Sequence, residues 1–253
     1  MSRFEPIRSG TRSQFDHAVV VGRDLTAVVA DAIRQQPRTL QKSIGPSEIG
    51  NPCARAILSK LAGATDPRAG EAAWRPAVGT AIHAQLEGWF RPLHDRYLVE
   101  QRVHLGQWAG QDIAGTCDLY DLHTRTVIDW KSGSQTRIKA YRANGPNDTY
   151  RIQAHLYGLG LLRSTAHVPE HVALVWVPRD GDLTDMHVWS EPFDPGVALD
   201  ALTRLDGLAA ELRLLGLEAA LNEHPTCTDH WCGWCRATTR PTTLAEAFAA
   251  ATR

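Results

Sequence analysis

The stretch GTCDLYDLHTRTVIDWKSG, residues 115–133, decides the fold. Its two halves, GTCDLYD and TVIDWKSG, are short and rich in β-branched and aromatic residues, and His123-Thr124 marks a turn between them, so they read as adjacent strands. Side chains alternate across a strand, which puts Asp129 and Lys131 on one face and Trp130 on the other. Pairing of the two arms brings Asp118 alongside. Val127 and Ile128 carry the second arm into a core just before it presents its charges, and charges placed there need a partner or an ion.

Working outward, YLVEQRVHL (97–105) supplies a third strand and completes a meander. Upstream, PAVGTAIHAQLEGWFRPLHDRY (76–97) has Val78, Ile82, Leu86 and Phe90 at helical spacing, with His83 and Glu87 as an i, i+4 pair on its flank. Downstream, DTYRIQAHLYGLGLLRS from Asp148 regains a helical period through Ile152, Leu156, Leu159 and Leu162. HVALVWVPR and DMHVWSEPF return as two more strands, and a long Leu/Ala helix is expected over roughly 196–221. Near the start, DLTAVVADAIRQQ reads as a helix capped by Asp24, and Ser47 or Asn51 is placed to cap a short helix that begins near Cys53. The order of elements predicts an α/β fold, a mixed sheet flanked by helices, with an N-terminal helical segment and a C-terminal cysteine-bearing lobe. The expected organisation is a loosely ordered arm over 1–23, one domain over 24–240 with its core at about 75–195, and a helical tail over 241–253.

Composition bounds the function. The chain has 253 residues, 43% hydrophobic and 22% charged, with 27 basic and 28 acidic side chains and a net charge of −1. That length excludes a disulfide miniprotein, and the charge balance excludes a non-specific polyanion binder, so any nucleic-acid binding must come from a local groove or from metal ions. MSRFEPIRSG lacks the apolar core of a signal peptide, and no window approaches the ~18 consecutive apolar residues of a membrane span. The expectation is a cytoplasmic protein with reduced thiols.

Two acids and a lysine converging on one face of a sheet form a site for one or two hard divalent cations, Mg²⁺ or Mn²⁺, and His83 offers an imidazole ligand to the same ion. Lys131 would then orient a water or neutralise charge developing on a phosphate.

In this order the residues resemble the PD-(D/E)XK nucleases, and among them the RecB-type branch of CRISPR-associated and phage exonucleases. The resemblance runs through GTAIH with His83, the strand with Glu100, GTCDLYD with Asp118, IDWKSG with Asp129 and Lys131, and QAHLY with Gln153 and Tyr157, and it covers about residues 47–235. It implies a restriction-endonuclease-like fold. It makes His83, Asp118 and Asp129 metal ligands together with the carbonyl of Trp130, and Lys131 the catalytic base or electrostatic helper. Gln153 and Tyr157, four apart on one helix face, match the family's Q-x-x-x-Y element. Glu100 is a further candidate member of the site, and His155 falls on the opposite side of that helix. The activity implied is a metal-dependent exonuclease acting on single-stranded or duplex DNA ends in recombination or end processing, with partners from recombination, CRISPR or phage systems.

Of the five cysteines, Cys117 is expected in the core. Cys53, Cys227, Cys232 and Cys235 are the complement of a [4Fe–4S] cluster or of a zinc site. The resembling exonucleases place one cysteine before the nuclease core and three after it around a [4Fe–4S] cluster. The C-x₄-C-x₂-C spacing here departs from their usual C-x₂-C-x₅-C. A thioredoxin-like reading of WCGWC lacks the strand-to-helix context it needs. The aromatic residues Trp74, Trp89, Trp108, Trp231 and Trp234 are candidate base-stacking platforms. Arg137, Lys139 and Arg142, in a basic stretch just after the catalytic strand, are candidate phosphate contacts. A non-catalytic DNA-binding or adaptor module of the same fold is the alternative, and a zinc- or thiol-based redox protein leaves the carboxylates without a task.

Overall fold

The computed structural model describes residues 11–35, 43–68, 71–229 and 232–239. They form helices α1 (Thr11–Arg34), α2 (Pro46–Ile49), α3 (Ala54–Leu61) and α4 (Trp74–Phe90), then strands β1 (Tyr97–Trp108), β2 (Gln111–Asp121) and β3 (Thr126–Gly133). Helices α5 (Gln135–Asn144) and α6 (Asp148–Ser164) follow, then β4 (His171–Pro178), β5 (His187–Pro192), α7 (Pro195–Leu215), α8 (Leu217–Glu223) and α9 (Gly233–Thr239). The chain divides into two units. The smaller holds α1 and the segment ending at Val78; the larger holds Lys42–Arg68 and everything from Gly79 onward.

The larger unit is built on a five-stranded sheet in the order β1-β2-β3-β4-β5. Among the described strands only β3 and β4 run parallel, because α5 and α6 form the crossover between them, whereas tight turns join β1 to β2 and β2 to β3 and a longer loop with a 3-10 turn joins β4 to β5. This is the mixed, helix-flanked sheet that the sequence predicts. Helix α6 lies on one face, packing Ala154, Tyr157 and Leu161 against Cys117, Val127, Val172, Leu174 and Trp176. Helix α4 covers the other face, setting Ile82, Leu86 and Phe90 against Leu119, Trp130 and Val175. A further core joins α3, α6 and α7 through Leu58, Leu156, Leu202 and Leu205.

Several boundaries differ from the sequence reading. Helix α1 begins at Thr11, so residues 11–23, expected in a loose arm, are helical and Asp24 lies inside the helix rather than capping it. No proline interrupts residues 11–34, and without a breaker the helix continues through Gly22. The helix expected over 196–221 is broken at Gly216, whose φ of 76° ends α7 before α8 begins. The basic stretch after β3 is helix α5, started at Ser134 and stopped at Gly145. Cys53 itself is the N-cap residue of α3, and its N–H is held by Asn51 Oδ1 at 2.9 Å. The tail expected at 241–253 lies outside the described residues, as does Trp231.

Candidate metal and nucleolytic site

Strands β2 and β3 pair from Asp121↔Thr126 to Leu119↔Ile128 and no further, so they part where Asp118 and Asp129 would face each other. The cause is an irregularity shared by β1 and β2. Cys117 and Tyr120, three residues apart, both pack on the α6 side, while Leu119 packs on the α4 side. In a regular strand such positions could not share a face. Across from this switch, Glu100 takes a φ of 50° and falls between the Val99↔Leu119 and Gln101↔Cys117 pairs. Bulge-like breaks of this kind re-aim a side chain. Here the Asp118 carboxylate turns into the gap, where its Oδ2 accepts the Trp130 N–H at 2.8 Å.

Two close approaches bring helices up to the gap. A Cβ on Gly115 would lie 2.8 Å from Pro46 Cγ and 3.0 Å from Tyr157 Cε1, so only glycine lets α6 lie this near β2. A Cβ on Gly79 would lie 3.2 Å from Ser132 Oγ, which sets α4 against the end of β3. One turn beyond Gly79, His83 Nδ1 stands 3.5 Å from Asp118 Oδ2.

Alternation along β3 aims Asp129 and Lys131 at α6, and the two form an ion pair. Gln153 joins them. Its Oε1 accepts from Lys131 Nζ at 2.9 Å, while its Nε2 donates to Asp129 Oδ1 at 3.1 Å and to the Tyr157 hydroxyl oxygen at 3.2 Å. The Lys131 ammonium also lies 4.7 Å from the centre of the Tyr150 ring. His83, Asp118, Asp129, Lys131, Gln153 and Tyr157 are therefore one cluster, and the backbone of Trp130 takes part through its N–H. His155 is fully buried instead; it pairs with Glu191 at 2.6 Å and accepts the Asp194 N–H at 3.2 Å, a packing role.

The electrostatics are those of an acidic pocket. Burial pushes the Asp129 carboxyl above its usual range, with Lys131 opposing and Asp118 adding to the shift. Burial, then Asp118 and Glu87, push Glu100 up to about 7. Burial works against a charge on His83, but its contact with Asp118 outweighs this and raises its pKa. Excess negative charge of this kind favours a bound cation. Asp129 Oδ2 is buried with the Lys131 ammonium as its partner, and imidazole with carboxylate oxygens is a donor set suited to Mn²⁺ or Mg²⁺. The residues present fit such an ion.

Tyr150 is the member that the motifs do not include. The available signal is its spacing, three residues before Gln153 and seven before Tyr157, which puts all three on one face of α6.

The four cysteines form a second cluster. Cys53 Sγ lies 3.6 Å from Cys235 Sγ and 3.8 Å from Cys232 Sγ, and the four sulfurs all fall within 4.8 Å of one another. None is in a disulfide, and Trp234 packs against the group. Cys117 is buried in the sheet core, as expected. Of the tryptophans, Trp74 and Trp89 are largely exposed, whereas Trp108 donates to Leu105 O at the edge of a core. Arg137, Lys139 and Arg142 are exposed on α5.

The chain belongs to the PD-(D/E)XK nuclease superfamily, whose family model matches residues 7–240. No curated protein matches its sequence. Among solved structures, the crystal structure of SSO0001 has a similar fold, with a TM-score of 0.51 at 16% identity over 87% of this chain and 98% of that one. An alkaline exonuclease (LHK-Exo) from Laribacter hongkongensis aligns with a TM-score of 0.47 at 12% identity, over 72% of this chain and 93% of that one. No helix among the described residues is long and apolar enough to cross a membrane.

Proposed function

We propose that this protein is a divalent-metal-dependent deoxyribonuclease that degrades DNA from its ends. The convergence of His83, Asp118, Asp129, Lys131 and Gln153 at the parting of β2 and β3 carries this reading. His83, Asp118, Asp129 and the Trp130 carbonyl would hold one or two Mg²⁺ or Mn²⁺ ions, which when bound polarise a phosphodiester and lower the pKa of a water. Lys131 stands beside this carboxylate set as a cation able to orient the water or to balance charge on the phosphate. Gln153 fixes the lysine and Asp129 relative to each other, and Tyr157, whose phenol burial keeps neutral, anchors Gln153. Arg137, Lys139 and Arg142 on α5 would receive the DNA backbone. The motif series resembles RecB-type exonucleases, which supports end-directed cleavage and a role in recombination or end processing.

The cysteine cluster would clip residues 53 and 235 together around a metal centre. The resemblance to iron–sulfur exonucleases supports a [4Fe–4S] cluster. The sulfur spacing supports a zinc ion, since tetrahedral coordination with Zn–S bonds of about 2.3 Å sets sulfurs about 3.8 Å apart. In a cluster each thiolate caps a different iron and the sulfurs stand wider. Iron, sulfide and zinc determination on anaerobically purified protein separates the two.

The nuclease reading is tested with Mn²⁺ on end-labelled linear DNA and on a covalently closed circle. Release of nucleotides from the linear substrate alone, abolished by EDTA, supports it. Binding of DNA without cleavage in Mg²⁺ or Mn²⁺ would show an adaptor module instead.

A further inference from the structure

Among the described residues, three groups meet the Lys131 ammonium. One is the Asp129 carboxylate, the second is Gln153 Oε1 at 2.9 Å, and the third is the face of the Tyr150 ring, 4.7 Å from the nitrogen. The first conflicts with the proposed function, because a divalent ion on Asp129 competes with the lysine for the same buried carboxylate. The other two do not conflict. A carbonyl oxygen and a π-face both attract a cation and carry no net charge of their own to hold the ion away from the acids.

Tyr150 is fixed for this task. It lies in the first turn of α6, where its N–H is bonded by the Asn147 side chain at 3.0 Å, which caps the helix. Its ring meets Tyr141 of α5 at 6.1 Å, and Tyr141 stacks on Trp176 of β4 at 4.7 Å with 24° between the planes. Trp176 is fully buried and is the parallel-register neighbour of Lys131 itself. The aromatic series thus starts beside Lys131 in the sheet, passes over α5 and returns above the lysine nitrogen. A side chain held by two helices and a core tryptophan presents its face without losing further freedom.

We propose that Tyr150 is a positioning residue that, with Gln153, forms a second seat for the Lys131 ammonium, keeping the lysine in the site while Asp129 is given over to a divalent ion. This rests on the nuclease reading. It differs from the Q-x-x-x-Y element in assigning a task to the residue three positions before the glutamine.

The test compares wild type with Tyr150→Phe, Tyr150→Leu and Tyr150→Met by Mn²⁺ titration, with free Mn²⁺ read by electron paramagnetic resonance, and by kcat and KM on labelled DNA. Phe retains the π-face, and the expected result is wild-type Mn²⁺ affinity and kcat. Leu and Met lack it, and Mn²⁺ should bind on the order of 3- to 10-fold more weakly, the range of a partly buried cation–π contact. The same variants should lose kcat with KM for DNA unchanged. In a Lys131→Met background the Tyr150→Leu effect on Mn²⁺ affinity should vanish, a coupling that simple loss of packing would not give. Wild-type Mn²⁺ affinity in both Leu and Met variants, or an equal defect in Phe, overturns the proposal. So does an undiminished Leu effect in the Lys131→Met background. If wild type itself neither binds Mn²⁺ nor cuts DNA, the nuclease reading fails first.

Discussion

Asp118 Oδ2 accepts a 2.8 Å hydrogen bond from the backbone N–H of Trp130 at the point where β2 and β3 cease to pair. A carboxylate thus stands in for a strand carbonyl, and the same group lies 3.5 Å from His83 Nδ1. Structural and chemical demands meet on one side chain and can be separated by substitution. Asp118→Asn keeps an acceptor for Trp130 and should stay within about 1 kcal/mol of wild type, while Asp118→Ala orphans that N–H and should lose about 1–3 kcal/mol. Both should lose nuclease activity by ~100-fold or more, since charge is what a metal site needs. Urea denaturation and rates on labelled DNA check the two halves.

Gly115 lets α6 approach β2, and with it Gln153 and Tyr157. Gly115→Ala places a methyl within 2.8 Å of Pro46 and 3.0 Å of Tyr157. The expected cost is about 1–3 kcal/mol from overpacking, with activity falling because Gln153 is displaced from Asp129 and Lys131. A thermal melt together with the rate reads both.

Asp121 gives a stability prediction away from the active site. It is 4% exposed and bonded by Arg96 at 2.7 Å and by the His123 N–H at 2.9 Å. Burial alone would raise its pKa, but these partners outweigh it and hold the carboxyl down at about 2. A depressed folded pKa means the contribution is complete above the unfolded value near 3.9 and is lost as pH falls toward 2. Because Arg96 is half-exposed, the contribution is on the order of 1 kcal/mol. Denaturation of wild type and Asp121→Asn at pH 7 and pH 3 should show the gap between them narrowing at the lower pH. An unchanged gap contradicts this account.

The cysteine cluster joins residues 182 positions apart, so metal loss should loosen the fold as well as the site. Cys53→Ser should reduce the bound metal measured by elemental analysis and lower Tm by at least about 4 °C. Cys117→Ser, outside the cluster, should leave the metal content unchanged.

Much of this was legible in the sequence, and the parts that were not have physical reasons. Period two placed Asp129 with Lys131, and helical spacing placed Gln153 with Tyr157, because both follow from local geometry. The turning of Asp118 into the gap depends on a break shared by two strands at Glu100 and Asp118, which no single-strand pattern encodes. Helix α5 buries little beyond Ile138, so it has no apolar stripe to announce it. Tyr150 acts through space on Lys131 once α6 lies over β3, and spacing alone assigns it no charge to hold.

The central claim is that these residues form one metal-dependent nucleolytic site, and the most direct measurement is the rate of DNA degradation in Mn²⁺ by wild type and Lys131→Ala. Wild type should release nucleotides from linear DNA, and the variant should be slower by ~100-fold or more while keeping its fold, as expected when a positioned proton-transfer or charge-stabilising group is removed. A folded Lys131→Ala protein that degrades DNA at the wild-type rate would contradict the account.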